Sequence, residues 1–390
     1  MQQIQGCIVS AVPPVSKRAH RIAVSVLFYI QGLGFASWAS RIPAIQQKLD
    51  LSEAELGMVL FAIPVGLMLS LPFAGWLTAK YGSKKIALTS AFFYGIILVC
   101  IGFSSDIFEL TAALFLFGIF GNMANIAINT QAVGVEVLYN KSIMASFHGL
   151  WSIAGFFGAA IGTLMIGFNV APGLHFAGIF LLLTGGIISA SKYVINEDSS
   201  DGDKHPLFAK PDKALLMLGL IAFCIMICEG SMFDWSGVYF KKVVRADKAW
   251  IGAGYTAFMG TMAAGRFVAD RFNSKYGLPY ILIVSGILAS LGLLIAIIFP
   301  YLASAIFGFM LVGFGVSSVV PLVYGAAGKS KTLSPGIALA AVSTIGFAGF
   351  LIGPPLIGII AAAFSLRISF TVIAVMAFCV VLLSSKVKVN

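Results

Sequence analysis

Two carboxylates stand where the surrounding composition leaves little water. The stretch CEGSMFDWSG, residues 228 to 237, follows the apolar run Ala214 to Cys228 and carries Glu229 and Asp234. A charged side chain at the centre of a bilayer costs about 2.5 to 3.5 kcal/mol on insertion scales, so such a group faces protein or water rather than lipid. Desolvation also favours the neutral form of an acid, the condition under which a carboxyl in a cavity takes up and releases a proton. Proton coupling is therefore the chemistry expected of Glu229 and Asp234. The plainer role open to both is that of structural hydrogen-bond acceptors near a helix end. Five positions apart on a helix, their side chains diverge by roughly 140°. That divergence predicts one facing a cavity while the other packs against a neighbouring helix or reaches a basic partner such as Lys241 or Lys242. Glu229 sits about 24 Å along its helix, past the midpoint.

Other polar residues recur at helical spacing. Asn122, Asn125, Asn129 and Glu136 form one stripe, and Gln31, Gly34, Trp38 and Arg41 form another. Amides and carboxylates bind hydroxyls, and aromatic faces stack on the apolar faces of sugar rings. Gln31, Trp38, Asn125, Asn129 and Trp235 are thus candidates to bind a small polar solute, sugar-like or nucleoside-like. The competing roles are interhelical hydrogen bonding for asparagine and an interfacial belt for tryptophan. Arg41 is expected to snorkel or serve a gate, and Glu136 to lie at the rim. His148 shares a face with Ser152 and Gly155 at a helix start. Ser317, Pro321 and Tyr324 line a face where proline loosens the helix and Tyr324 is placed to close over a solute. Pro354-Pro355 predicts a kink.

These residues need a scaffold, and composition names its class. Of 390 residues, 59% are hydrophobic and 10% charged, with a mean hydropathy of +0.99, a balance that excludes a water-soluble domain. Apolar runs continue for about 20 residues rather than alternating over about 10, so the predicted elements are membrane-spanning helices and not barrel strands. Twelve runs appear: six within residues 22–191 and six within 214–390. Between them lies the polar segment KYVINEDSSDGDKHPLFAKPDK, residues 192–213, with the mix of a solvated cytoplasmic linker. Residues 1–21 read as a cytoplasmic tail with Pro13, Pro14 and three basic residues, and contain no separate apolar signal segment.

The net charge of +10 resembles that of a nucleic-acid binder, but in a membrane chain basic residues mark topology. With both termini in the cytoplasm, 18 of the 25 Lys and Arg lie inside and 7 outside, although KKVVRADK, residues 241–248, places four of its own outside. The five cysteines, at positions 7, 100, 224, 228 and 379, show neither metal-site nor CxxC spacing. No metal or cofactor is expected. Without a paired-aspartate, Ser–His or His-rich arrangement, no enzymatic activity is expected either.

The second half repeats the first. KYG at 80–82 returns at 275–277, half a chain later. In the same order Leu56-Gly57 returns as Ile251-Gly252, Gln31-Gly32 with Phe35 as Glu229-Gly230 with Phe233, and Ala154-Gly155-Phe156 as Ala348-Gly349-Phe350. The prediction is two six-helix bundles related by a pseudo-twofold axis along the membrane normal, with a cavity between them near the midplane. GWLTAKYGSKK, residues 75–85, together with twelve helices and this repeat, resembles the loop signature of the major facilitator superfamily. The pattern departs at Ala79, where that family usually carries aspartate, while GRFVADRF, residues 265–272, supplies Asp270 with Arg266 and Arg271 in the second half.

ANIAINTQAVGVE at 124–136, HGLWSIAGFFGAAIG at 148–162 and CEGSMFDW at 228–235 are similar to the fucose-permease-like branch. The resemblance implies an all-α fold of twelve transmembrane helices in a bacterial inner membrane, and a secondary carrier working by alternating access with proton coupling. Gating would fall to Lys80, Lys84, Lys85, His148, Arg266, Asp270 and Arg271. The acidic helix-four residue of the fucose symporter is matched here by Asn125, which places the proton carrier elsewhere. Expected partners are a small polar solute, a proton and the lipid bilayer, with no nucleic acid, and the expected state is a monomer. A drug or metabolite exporter, a non-transporting membrane sensor and an intramembrane enzyme are the alternatives left open.

Overall fold

Each predicted apolar run is helical, and the helices end where caps and breakers stand. The computed structural model describes residues 16–140, 143–196, 212–328, 330, 333 and 335–385. The first half holds α1 (Lys17–Lys48), α2 (Glu53–Leu60), α3 (Ala62–Tyr81), α4 (Ser83–Phe103), α5 (Ile107–Tyr139), α6 (Met144–Gly167) and α7 (Pro172–Ser191). The second holds α8 (Lys213–Tyr239), α9 (Ala253–Tyr276), α10 (Leu278–Ile298), α11 (Leu302–Val316), α12 (Val319–Ala327), α13 (Pro335–Ala363) and α14 (Leu366–Ser384). Most of the linker predicted at 192–213 lies outside the described residues. Ser16, Asp106, Asp212 and Ser365 accept from backbone N–H groups of the first turns of α1, α5, α8 and α14, satisfying donors that a helix start leaves free. Ser52 and Glu55 close a reciprocal capping box on α2.

Prolines divide two of the spans. Pro321 has no N–H for the carbonyl of Ser317, and the chain passes from α11 to α12 at Ser317 and Ser318. Pro64 does the same to Leu60 and separates α2 from α3 at Phe61, a break not anticipated from sequence. Helix α13, by contrast, runs without interruption through Pro354 and Pro355. Counting α2–α3 and α11–α12 as one span each, eleven spans among the described residues are long and apolar enough to cross a bilayer. The twelfth is α9, 24 residues long, in which Arg266, Asp270 and Arg271 lower the apolar character.

The half-chain repeat is visible in the packing. Within the first half α1 lies against α6 and α7, and α4 against α5 and α7; within the second, α8 lies against α13 and α14, and α10 against α11 and α14. Between halves, α6 meets α9 as α13 meets α2. The repeated KYG also has a structural reason. Gly82 and Gly277 join α3 to α4 and α9 to α10 with φ of 84° and 82°, a left-handed backbone that an L side chain adopts only under strain.

Contacts between the bundles gather at the end that holds the α1–α2 connection. Lys242 Nζ lies 2.6 Å from Glu53 Oε1, and Lys241 Nζ donates to Gln47 Oε1 at 2.8 Å. Thr163 and Thr256 share a hydroxyl hydrogen bond at 3.1 Å. A Cβ on Gly57 would stand 2.8 Å from the carbonyl oxygen of Pro354 and 3.0 Å from the Cα of Gly358, so the backbones of α2 and α13 touch there. Gly57→Val is expected to destabilise the protein by about 1–3 kcal/mol through overpacking. Glu53→Gln, which removes only an exposed ion pair, should cost less than about 1 kcal/mol. Thermal unfolding of the two purified variants beside the parent checks the ordering.

Candidate functional site

Helix α8 contributes Glu229, Gly230, Phe233 and Asp234 to a cavity of about 320 Å³ between the bundles. These positions sweep roughly 140° around the helix, with the carboxylates at the two edges and Gly230 and Phe233 between them. Both carboxylates therefore line the cavity. This corrects the expectation that one would turn away: the wall supplied by α8 is broad, and a divergence of side-chain directions does not separate two residues across it. The basic partners considered for Asp234 are committed elsewhere, Lys241 to Gln47 and Lys242 to Glu53.

Glu229 has a different partner. Arg266 Nη2, from α9, donates to Glu229 Oε1 at 3.3 Å, while its Nη1 donates to Ser152 Oγ of α6 at 2.5 Å. Its guanidinium lies 5.9 Å from the ring centroid of Trp151. One side chain thus ties a carboxylate of the second bundle to a hydroxyl and an indole of the first. Its Nε is buried and has no partner among the described residues. Asp234 lies further along α8, toward the end where Lys242 meets Glu53, and among the described residues it has no hydrogen bond and no ion pair. Tyr255 of α9 is close enough for electrostatic coupling to it, and the Tyr255 hydroxyl is itself buried without a partner.

The rest of the wall is largely aromatic. Phe28 and Phe35 come from α1, Trp151 from α6, and Phe347 and Phe350 from α13. Phe35 meets Phe233 edge to face with centroids 5.3 Å apart, and Phe350 is parallel to Phe233 at 6.4 Å. Asn125 and His148 complete the polar lining, and His148 stands edge-on to Phe28 at 5.2 Å.

Several predicted solute contacts lie behind this wall. Asn129 Nδ2 donates to the carbonyl of Asn125 at 2.8 Å and to its Oδ1 at 3.2 Å, so Asn129 orients Asn125 without lining the cavity. Gln31 Nε2 donates to the carbonyl of Gly121 at 2.9 Å, joining α1 to α5. Trp38 and Trp235 are fully buried, with indole N–H groups unpartnered among the described residues. Tyr324 places its hydroxyl 3.9 Å from Met226 Sδ. Gln31 and Tyr324 are taken up by contacts between helices, Trp38 and Trp235 by burial, and Asn129 by its own helix. Asn122 is interhelical glue, donating to Ser70 Oγ at 2.8 Å. Glu136 accepts from the N–H groups of Ile143 and Met144 at the start of α6.

The gate residues divide similarly. Arg266 stands in the cavity wall and not in a loop, because α9 extends to Tyr276 and holds it a turn and more inside the helix end. Arg271 is exposed, and the side chain of Asp270 lies outside the described residues. Lys80 and Lys85 rest on Trp76 and Tyr81 of the first half at 4.6 and 5.6 Å, and Lys84 donates to Asn196, just past α7, at 2.7 Å. Arg41 is buried and donates to the carbonyl of Val170 at 2.5 Å.

Sequence reasoning assigned no role to Trp151 or to the five lining phenylalanines. A signal existed for two of them: Phe35 and Phe233 are equivalent positions of the internal repeat, and they meet between the bundles.

With this fold and cavity established, comparison with known proteins is direct. The sequence pattern of the Major Facilitator Superfamily matches residues 23–334, and the chain belongs to that family. It is similar to an uncharacterized MFS-type transporter of Yersinia pestis, 32% identical over 360 residues that make up 92% of this chain and 93% of that protein. It is likewise 32% identical to the membrane protein MosC of Rhizobium meliloti over 347 residues, 88% of this chain and 84% of that one. A variant of the nucleoside transporter NupG shares the fold with a TM-score of 0.78, covering 95% of this chain and 100% of that chain at 11% identity. The protein is thus a multi-pass membrane transporter of the MFS type.

Arg266→Met leaves Glu229 as an uncompensated charge in the wall, and a stability loss of about 3–5 kcal/mol is expected. Adding Glu229→Leu to that variant should recover most of the loss, since an apolar pair replaces the ions. Unfolding midpoints of the single and double variants test this.

Proposed function

We propose that this carrier moves a small polar solute, sugar-like or nucleoside-like, across the bacterial inner membrane by alternating access, with Glu229 and Asp234 coupling the movement to protons. The observation that carries the reading is the Arg266–Glu229 pair at the junction of the bundles, with Arg266 also bonded across it to Ser152. A proton on Glu229 removes the charge that Arg266 faces. The guanidinium is then free to rearrange, and one link across the junction is weakened.

Residues 22–191 and 214–390 rock as two bodies in this scheme, joined by 192–213. With both termini in the cytoplasm, the sealed end carrying Glu53 and Lys242 is external, and the cavity is reached from within. Asn125 offers hydrogen bonds to hydroxyls, and the aromatic wall offers stacking surfaces to a ring. Gln31, Trp38, Asn129, Trp235 and Tyr324 hold that wall in place from behind. His148 and Arg266 change contacts as the bundles move, while Lys80, Lys84, Lys85, Asp270 and Arg271 act at the cytoplasmic rim. The resemblance of the motifs at 124–136, 148–162 and 228–235 to the fucose-permease-like branch supports this reading.

The test is uptake by the purified protein in liposomes, over a panel of radiolabelled sugars and nucleosides, with and without an imposed pH gradient. Glu229→Gln is expected to abolish gradient-driven accumulation while exchange of internal for external solute stays measurable. Accumulation at the parental level in that variant would remove Glu229 from the coupling step.

A further inference from the structure

The charges in the cavity do not balance. Arg266 is the one arginine or lysine in its lining among the described residues, and Glu229 and Ser152 occupy its two terminal nitrogens. Asp234 therefore remains as a second carboxylate with no basic partner. Half-buried in the cavity wall, an ionised Asp234 favours a neutralising partner. The compensating charge comes either from a proton or from whatever enters the cavity.

The surroundings of Asp234 bear on which molecule that is. Phe233 is its neighbour in the chain, Phe35 packs edge-on to Phe233 and Phe350 lies parallel to it. Aromatic faces carry negative potential and attract ammonium groups, most strongly where water is excluded. A carboxylate that shares a cavity wall with such rings answers a cation. An anionic solute would meet repulsion there, and a neutral one would leave the charge as it was. The repeat sharpens the point: Gln31 and Phe35 correspond to Glu229 and Phe233, and in the same register Asp234 corresponds to Ala36. The excess charge belongs to one half only, so it also fixes which way round a solute with one charged end can lie.

We infer that the transported solute carries a single positive charge, a protonated amine held by Asp234 among Phe35, Phe233 and Phe350, with Asn125 available to its hydroxyls. The inference rests on the proposed function only in taking this cavity as the solute site. Ammonium and proton then alternate on one carboxylate. The titratable and charged groups facing it are Glu229 on its own helix, Tyr255 and Arg266 on α9, and His148 on α6. Helices α1 and α13 face it with phenylalanines and Pro354, and Arg41 of α1 is turned to Val170.

The experiment uses two series of probes, each with one body and three charges: phenethylamine, 2-phenylethanol and phenylacetate; glucosamine, glucose and glucuronate. Binding to the purified full chain is measured by calorimetry. In at least one series the amine should bind about tenfold or more tighter than its neutral counterpart, with the anion weakest. Asp234→Asn should bring the amine down to the affinity of the neutral probe, whereas Asp234→Glu should keep the preference. The inference is overturned if neither amine binds, if the anion binds tightest, or if Asp234→Asn preserves the discrimination. Liposome flux separates the two readings. An amine that binds through Asp234 yet is not moved counts against the carrier scheme alone, and neutral or anionic probes moved in preference to the amine count against this inference alone.

Discussion

Lipid offers neither hydrogen bonds nor counter-charge, and that single constraint organises the molecule. A helix answers it for its own backbone, but a guanidinium or carboxylate between helices must find its answer in protein or in cavity water. Arg266 and Glu229 answer each other, and Ser152 takes up the remaining terminal nitrogen from the opposite bundle. A pair of this kind contributes little net stability when its desolvation is counted. Its value is conditional: the contact exists while Glu229 is charged and loses its basis when Glu229 is neutral. Such a feature, of little net worth in a rigid core, suits the alternating access proposed for this junction.

The architecture around the junction shares the task between two kinds of contact. At the end carrying Glu53 and Lys242 the bundles meet through glycine backbones, with Gly57 against Pro354 and Gly358, and through one exposed ion pair of small worth. Such surfaces separate without leaving a buried charge stranded. Along α6 and α9 contact continues from the Thr163–Thr256 hydroxyls to Gly149, where an added Cβ would stand 2.8 Å from the Phe267 ring. Helix α13 meets the first half chiefly at α2. The halves share a fold plan while differing in side chains. Where the first half has Gln31, satisfied by the carbonyl of Gly121, the second has Glu229, which depends on Arg266. Pseudo-symmetry repeats the packing plan in both halves, and the exceptions to it place the charged residues.

Much of this was legible in the chain before any fold was known. Apolar runs of bilayer length and the doubled KYG are read directly from the order of residues. They determined an all-helical membrane protein in two similar halves, and they marked Glu229 and Asp234 as costly residues in need of a purpose. The same dependence on order limited the reading at the site. Helical spacing says which residues share a face, but not what that face meets. The stripe of Asn122, Asn125 and Asn129 was correct as a stripe, yet only Asn125 lines the cavity, because Asn122 is spent on Ser70 and Asn129 on Asn125.

What tertiary structure alone decided was partnership across long separations. Arg266 looked like part of a loop signature until α9 brought it to Glu229, 37 positions away in the chain, and to Ser152, 114 positions away. The aromatic wall was equally hidden, since phenylalanine in an apolar helix is indistinguishable from lipid-facing or core phenylalanine until neighbours are assigned. The sequence by itself determined which charges the membrane would not tolerate unanswered. Only the packing of six helices against six decided that Arg266 answers Glu229 and that Asp234 is left over, because charge compensation depends on distance in space and not on distance along the chain.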